Sequence, residues 1–177
     1  MKIFIDGSAG TTGLRIKDRL MKRSDVELIT LSEEQRKDTE SRKQALNSAQ
    51  VAFLCLPDAA AVEAVELVEN PDTVIIDTST AHRTSEGWAY GFPELSAEFE
   101  DKIKNSKRIA VPGCHAGGFI ALVYPLVEAG VLGNDALLSC YSLTGYSGGG
   151  KKMIAKYESE NKSPLLFAPR QYGLTQQ

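Results

Sequence analysis

Cysteine and histidine are scarce in this 177-residue chain, and long apolar runs and blocks of one charge are missing. The three cysteines, Cys55, Cys114 and Cys140, are odd in number and lack paired or zinc-type spacing. That argues against a disulfide framework or a metal site and for reduced thiols. No apolar run reaches transmembrane length, and the N-terminus runs straight into a β segment with no signal-peptide pattern, so the reading is a cytoplasmic chain without a membrane partner. The net charge is −3, with acids and bases interspersed, and without a Lys/Arg block nothing electrostatic points to nucleic acid. A small polar ligand fits better. Internal repeats, low-complexity tracts and long flexible linkers are absent too. The length suits one ordinary domain, or one domain with part of a second.

What the chain does have is alternation of apolar strand-like runs with helical patterns. Residues 2–6 read as a strand that breaks into Gly7-Ser8-Ala9-Gly10-Thr11-Thr12-Gly13, and 14–21 then carry apolar residues at helical spacing. A glycine loop between a strand and a helix lets backbone amides approach a pyrophosphate at the helix N-terminus. Turns collect glycine as well, and it is the strand-to-helix context that favours nucleotide binding. The second strand, 26–31, ends at Ser32, with Arg36 and Lys37 close behind. A hydroxyl and two cations suit a 2′-phosphate and favour NADP over NAD. The same residues also read as an ordinary solvated surface, with Glu33 as an alternative ribose partner.

A polar segment, 40–47, precedes a third strand at 51–56, whose near-continuous apolarity suits burial on both faces of a parallel sheet. Leu56 and Pro57 then stand at a strand end, where open parallel sheets meet their ligand, although packing explains them equally. Cys55 reads as structural, and Asp58 as the cap of a helix over 59–68. The fourth strand, 73–77, runs into Thr78-Ser79-Thr80-Ala81-His82-Arg83. Hydroxyls, an imidazole and a guanidinium at a strand end suit an anionic ligand, while His82 reads equally as a hydrogen-bonded, partly buried ring. An aromatic, turn-rich loop at 88–95 and a short strand at 108–111 follow. The alternation argues a parallel α/β domain with right-handed crossovers.

That last strand delivers Val111-Pro112-Gly113-Cys114-His115-Ala116, ahead of an apolar helix at 119–127. A cysteine at the mouth of a helix faces unpaired amides and the positive end of the helix dipole, which stabilise its thiolate. A lone cysteine reads more readily as a small buried residue at a turn, and it is the rest of the chain that makes Cys114 the candidate nucleophile. Beyond it, 136–144 reads as a longer strand of alternating character. The glycine loop at 145–152 reads equally as an anion holder and as a connector, and 163–177 shows no second core.

Taken in order, these segments resemble the short-form class of N-acetyl-γ-glutamyl-phosphate reductase, which is related to aspartate-semialdehyde dehydrogenase. The resemblance rests on residues 7–14, 77–83, Tyr90-Gly91-Phe92-Pro93-Glu94-Leu95, 112–116 and Tyr146-Ser147-Gly148-Gly149-Gly150-Lys151. It implies a Rossmann-type doubly wound parallel sheet over 1–113 and, over 114–177, the beginning of an α+β catalytic domain like the C-terminal domain of glyceraldehyde-3-phosphate dehydrogenase. It also implies NADPH-dependent reduction of a small-molecule acyl phosphate to an aldehyde in arginine biosynthesis, through a thioester on Cys114. The first glycine loop would hold the cofactor pyrophosphate, and Ser32, Arg36 and Lys37 its 2′-phosphate. Leu56 and Pro57 would border the cofactor, and Ser147, Gly148 and Gly149 would lie near nicotinamide and substrate. Ser79, His82 and Arg83 would face the substrate, with Arg83 the candidate for its anion.

The family carries a second domain with a general acid/base histidine, and neither of the two histidines here, His82 and His115, matches that position. The expectation is a chain that stops before that histidine, retains little or no activity, and belongs to a homo-oligomer at full length. The alternatives are another acyl-phosphate reductase, such as aspartate-semialdehyde dehydrogenase, and a non-catalytic NADP-binding module.

Overall fold

The computed structural model describes residues 1–161 and 163–168. Its centre is a six-stranded sheet built from β1 (Lys2–Asp6), β2 (Glu27–Ile29), β3 (Val51–Leu54), β4 (Val74–Asp77), β5 (Ala89–Tyr90) and β6 (Arg108–Ala110). The spatial order is β2-β1-β3-β4-β6-β5, and every pairing is parallel. The chain first steps one way, from β1 to β2, and then back across β1 to β3 and β4. With right-handed crossovers this sends α1 (Thr11–Leu20) to one face, and α2 (Thr39–Ser48) and α3 (Asp58–Glu66) to the other. The main core lies under the latter pair, where Ala45, Leu46, Ala49 and Ala64 meet Phe4, Ala52, Leu54 and Ile75.

Register places Asp6, Leu54, Asp77, Ala110 and Tyr90 side by side along the carboxyl edge of the sheet. Partners in register share a face, so three polar side chains stand in one row just before the strands end. That row sets up the site.

Several sequence expectations change. The polar segment at 40–47 is helix α2: Asp38 caps it by accepting from the Ser41 amide at 2.8 Å, and Ala45 and Leu46 give it a buried side. Asp58 does not cap α3. It is the first helical residue, behind an extended Pro57, and its carboxylate accepts from the amide and hydroxyl of Thr80 at 2.9 and 2.5 Å. The loop at 88–95 contains β5, two residues long, and a 3₁₀ turn at Pro93–Leu95. Residues 136–144 form no strand and lie exposed, Leu137 fully so and Tyr141 at 87%. Alternation makes a strand only where a neighbour completes the hydrogen bonds, and none of the described strands stands beside it.

Helix α4 (Ala97–Asn105) is capped by Ser96 and carries Glu98–Lys102 and Glu100–Lys104 pairs one turn apart. Phe99 of α4 meets Tyr124 of α5 (Cys114–Glu128) edge to face, with ring centres 5.9 Å apart. A final helix, α6 (Gly150–Glu158), follows a 3₁₀ turn at Tyr146–Gly149. Of the terminal stretch 163–177, residues 169–177 lie outside the described part.

Candidate functional site

In a doubly wound sheet the ligand crevice opens where successive crossovers leave to opposite faces. Here that point lies between β1 and β3, and two of the four cofactor segments nominated from sequence, Gly7–Gly13 and Leu56-Pro57, border it. Gly7 adopts φ +82°, and a Cβ there would sit 2.2 Å from the Cys55 carbonyl oxygen and 3.2 Å from Leu56 Cδ2. A Cβ on Gly13 would fall 2.4 Å from the Gly7 carbonyl oxygen. Glycine at 7 and 13 thus folds the loop back on itself and against the end of β3, next to Leu56 and Pro57. The Gly10 amide donates to the Gly7 carbonyl at 2.9 Å. Gly10 is the N-cap of α1 and supplies no side chain to its first turn, so the helix mouth above Ser8, Ala9, Thr11 and Thr12 keeps its amides for a ligand. This cradle fits a dinucleotide pyrophosphate.

A cleft of about 90 Å³ adjoins the loop, lined by Ser8, Lys17, Thr30, Leu31 and Arg36 among others. It joins Ser8 of the glycine loop to Arg36 beyond β2. Ser32 and Gln35 clasp each other, amide to side chain, at 2.9 and 3.2 Å, and Arg36 Nε reaches the Ser32 carbonyl at 3.4 Å. Arg36 also lies 3.8 Å from Glu33, and Lys37 is exposed. Lys17 and Thr30 were not singled out from sequence, because a lysine on a helix and a threonine ending a strand carry no signal of their own.

A second group of residues gathers at the ends of the paired strands β4 and β6, which lead to the 78–88 segment and to α5. Arg83 links the two ends: Nε donates to the Val111 carbonyl at 3.0 Å, and Nη2 to the Thr78 carbonyl at 3.4 Å. The guanidinium lies so close to Gly113 that a Cβ there would come within 2.6 Å of Nη1. Behind it, the fully buried Asp77 accepts from the Ser79 amide (2.9 Å) and hydroxyl (2.6 Å) and pairs with His82 Nδ1 at 2.7 Å. His82 is itself buried and stacks on Trp88, with ring centres 4.1 Å apart. Ser79 and His82 therefore shape the segment that carries Arg83. Asp77 escaped notice because an acid closing an apolar strand looks like a boundary. Tyr90, two strands along in the row, buries a hydroxyl without a partner, and burial pushes its phenol up while the nearby Arg83 pulls it down.

Cys114 is exposed at the first turn of the fifteen-residue α5, behind a Gly113 N-cap that offers no side chain. Cys55 is half-buried beneath Gly7, and burial pushes its thiol up to about 11. Cys140 is exposed in the unpaired 136–144 segment. His115 Nδ1 pairs with Ser142 Oγ at 2.5 Å. Ser147, Gly148 and Gly149 are held within their own unit, where Tyr146 stacks on Tyr157 of α6 with centres 4.9 Å apart and donates to Glu158 at 3.1 Å. Among the described residues no cluster of side chains has metal-binding composition, and no helix is long and apolar enough to cross a membrane.

Residues 2–105 match the family described as semialdehyde dehydrogenase, NAD binding domain. A relative from Chelativorans sp., named N-acetyl-gamma-glutamyl-phosphate reductase, is 52% identical over 98% of this chain and 56% of its own length. One from Pseudomonas putida, named N-acetyl-gamma-glutamyl-phosphate reductase 2, is 49% identical over 97% of this chain and 55% of its own. The chain thus spans about half the length of the curated relatives it matches. Among solved structures, aspartate semialdehyde dehydrogenase II from Vibrio cholerae superposes with a TM-score of 0.62 at 18% identity, over 97% of this chain and 55% of that one. The Candida albicans aspartate semialdehyde dehydrogenase solved with NADP gives 0.50 at 18% identity, over 72% of this chain and 46% of that one. These likenesses agree with the Rossmann-type sheet.

Proposed function

The chain belongs to the semialdehyde dehydrogenase family, and from that premise we propose that it binds NADP(H) and carries the nucleophile of an N-acetyl-γ-glutamyl-phosphate reductase of arginine biosynthesis. The domain boundary we propose falls between Gly113 and Cys114. The Gly7–Gly13 loop holds the pyrophosphate at the mouth of α1, Leu56 and Pro57 border the cofactor, and Ser32, Arg36 and Lys37 receive the 2′-phosphate. The bound cofactor supplies hydride. The thiolate of Cys114 attacks the acyl carbon, a C–S bond forms as the C–O bond to phosphate breaks, and phosphate leaves from a thioester. Arg83, oriented by the Ser79–Asp77–His82 cluster, fixes the turn that presents Cys114, and Ser147, Gly148 and Gly149 close on the substrate.

The observation that carries this reading is the placement of Cys114. Its thiol is open at a helix mouth, at the same carboxyl edge of the sheet as the glycine cradle. Titration with NADPH and with NADH, followed by Trp88 fluorescence, tests the cofactor, with NADPH expected to bind about tenfold or more tightly, some 1.4 kcal/mol. Incubation with an acyl phosphate and intact-mass measurement tests the nucleophile. One acyl adduct is expected, and it should be lost in Cys114→Ser. A cooperatively folded chain that binds neither nucleotide removes the cofactor reading, and an adduct that survives Cys114→Ser removes the nucleophile.

A further inference from the structure

We propose that Arg42 is a positioning residue for the nucleotide, holding and neutralising the Asp6 carboxylate directly behind the glycine loop. This rests on the reading of Gly7–Gly13 as the pyrophosphate cradle. Asp6 is the last residue of β1, 5% exposed, and precedes Gly7 without a break. Its Oδ2 accepts from Arg42 Nε at 3.1 Å and Nη2 at 3.0 Å. The third edge of the same guanidinium reaches Glu63 Oε1 at 3.2 Å. One α2 side chain thus ties the end of β1 to α3, at the strand end where the chain turns into the loop.

The Gly7 carbonyl receives the Gly10 amide at 2.9 Å, so the loop closes on the residue next to Asp6. Fixing the Asp6 side chain therefore fixes where the loop leaves β1, and Arg42 fixes Asp6. Charge matters as much as shape. A buried carboxylate behind a pyrophosphate repels it through poorly screened surroundings, and the fixed guanidinium offsets that field. The titratable groups facing Asp6 are Arg42 from α2, Glu63 from α3 and the Cys55 thiol from the end of β3. Burial and Glu63 push the Asp6 carboxyl up, and Arg42 opposes them. Without Arg42, burial and Glu63 push upward against the Gly7 backbone alone, so Asp6 would titrate higher.

The test is Arg42→Gln, which keeps an amide donor and removes the charge. NADPH dissociation constants are measured from pH 6 to 8 for wild type, R42Q and the double variant D6N/R42Q, with the Gly7 amide resonance followed over the same range. Wild type should hold a flat profile relative to the double variant. R42Q should bind about tenfold more weakly at pH 8 than at pH 6 by that comparison, with a Gly7 amide that titrates, and D6N/R42Q should return to a flat profile. A Gly7 amide that titrates in R42Q while affinity does not follow overturns the proposal and leaves the cradle standing. Failure of wild type to bind any nucleotide overturns the cradle reading, and this proposal with it. If R42Q melts below the assay temperature, Arg42→Lys takes its place. Retained charge predicts the wild-type profile there, and a pH-dependent affinity overturns the proposal.

Discussion

Arg83 Nε donates to the carbonyl of Val111 at 3.0 Å, joining the segment after β4 to the turn that presents Cys114. The same guanidinium occupies the space beside Gly113. The two residues are therefore coupled: a side chain at position 113 would have to push the guanidinium aside.

Arg83→Met removes charge-assisted bonds to two backbone carbonyls, worth about 1.5–3 kcal/mol each where the carbonyls are left without partners. We expect a loss of about 2–4 kcal/mol in urea unfolding. Gly113→Ala should cost about 1–2 kcal/mol by displacing the guanidinium, and much less in the Arg83→Met background. Additive losses would show that the clash lies elsewhere.

The thiols should separate by reactivity. With its thiol near 11, Cys55 at pH 8 offers about one hundredth of the thiolate of an ordinary cysteine, and it is half-buried besides. In a Cys140→Ser background, iodoacetamide mapped by peptide mass should modify Cys114 at least about 100-fold faster than Cys55. Comparable rates would mean that the segment below Gly7 opens readily.

Glycine substitutions divide by what surrounds them. Gly7→Ala combines a positive φ with a Cβ 2.2 Å from a backbone oxygen, and Gly13→Ala drives a Cβ into the Gly7 carbonyl. Each should lower stability by more than about 2 kcal/mol and abolish nucleotide binding. Nothing lies within 4 Å of a Cβ on Gly118, inside α5, so Gly118→Ala should stabilise by about 0.5–1 kcal/mol. Thermal melts of the three variants check the contrast.

Asp58 supplies the acid-side dependence. The hydrogen bonds from Thr80 hold its carboxyl below the usual value, so the folded chain binds that proton more weakly than the unfolded one. The stabilisation is present above the unfolded value and is lost as pH falls through the lower, folded value. Thr80→Val should therefore flatten the stability slope below about pH 4 and change little of it at neutrality. Urea midpoints at pH 3, 4 and 7 read this directly, and an unchanged acid slope would remove the contribution.

The strands were legible because β1, β3 and β4 are short apolar runs bounded by turn residues, the pattern of strands in a parallel sheet, although β3 and β4 bury one face more fully than the other. The loop at Gly7–Gly13 was legible because glycine spacing survives without knowledge of neighbours. Helix α2 was not, since its exposed side dominates its composition and its two buried residues, Ala45 and Leu46, declare themselves only against the sheet. β5 was too short to leave a pattern. Residues 136–144 have the alternation of a strand, but that pattern states which sides differ and says nothing about whether a partner strand exists.

By itself the sequence determined the parallel α/β class, the strand-loop-helix at Gly7–Gly13 and the position of Cys114 behind a glycine at a helix start, because each is written in adjacent residues. Tertiary structure alone decided what orients them. Arg83 finds Val111 across 28 residues and Arg42 finds Asp6 across 36, and no local pattern encodes either pair. Hydrogen bonds and ion pairs of this kind depend on distance and direction in space, and those exist only once the crossovers have brought the strand ends into one row.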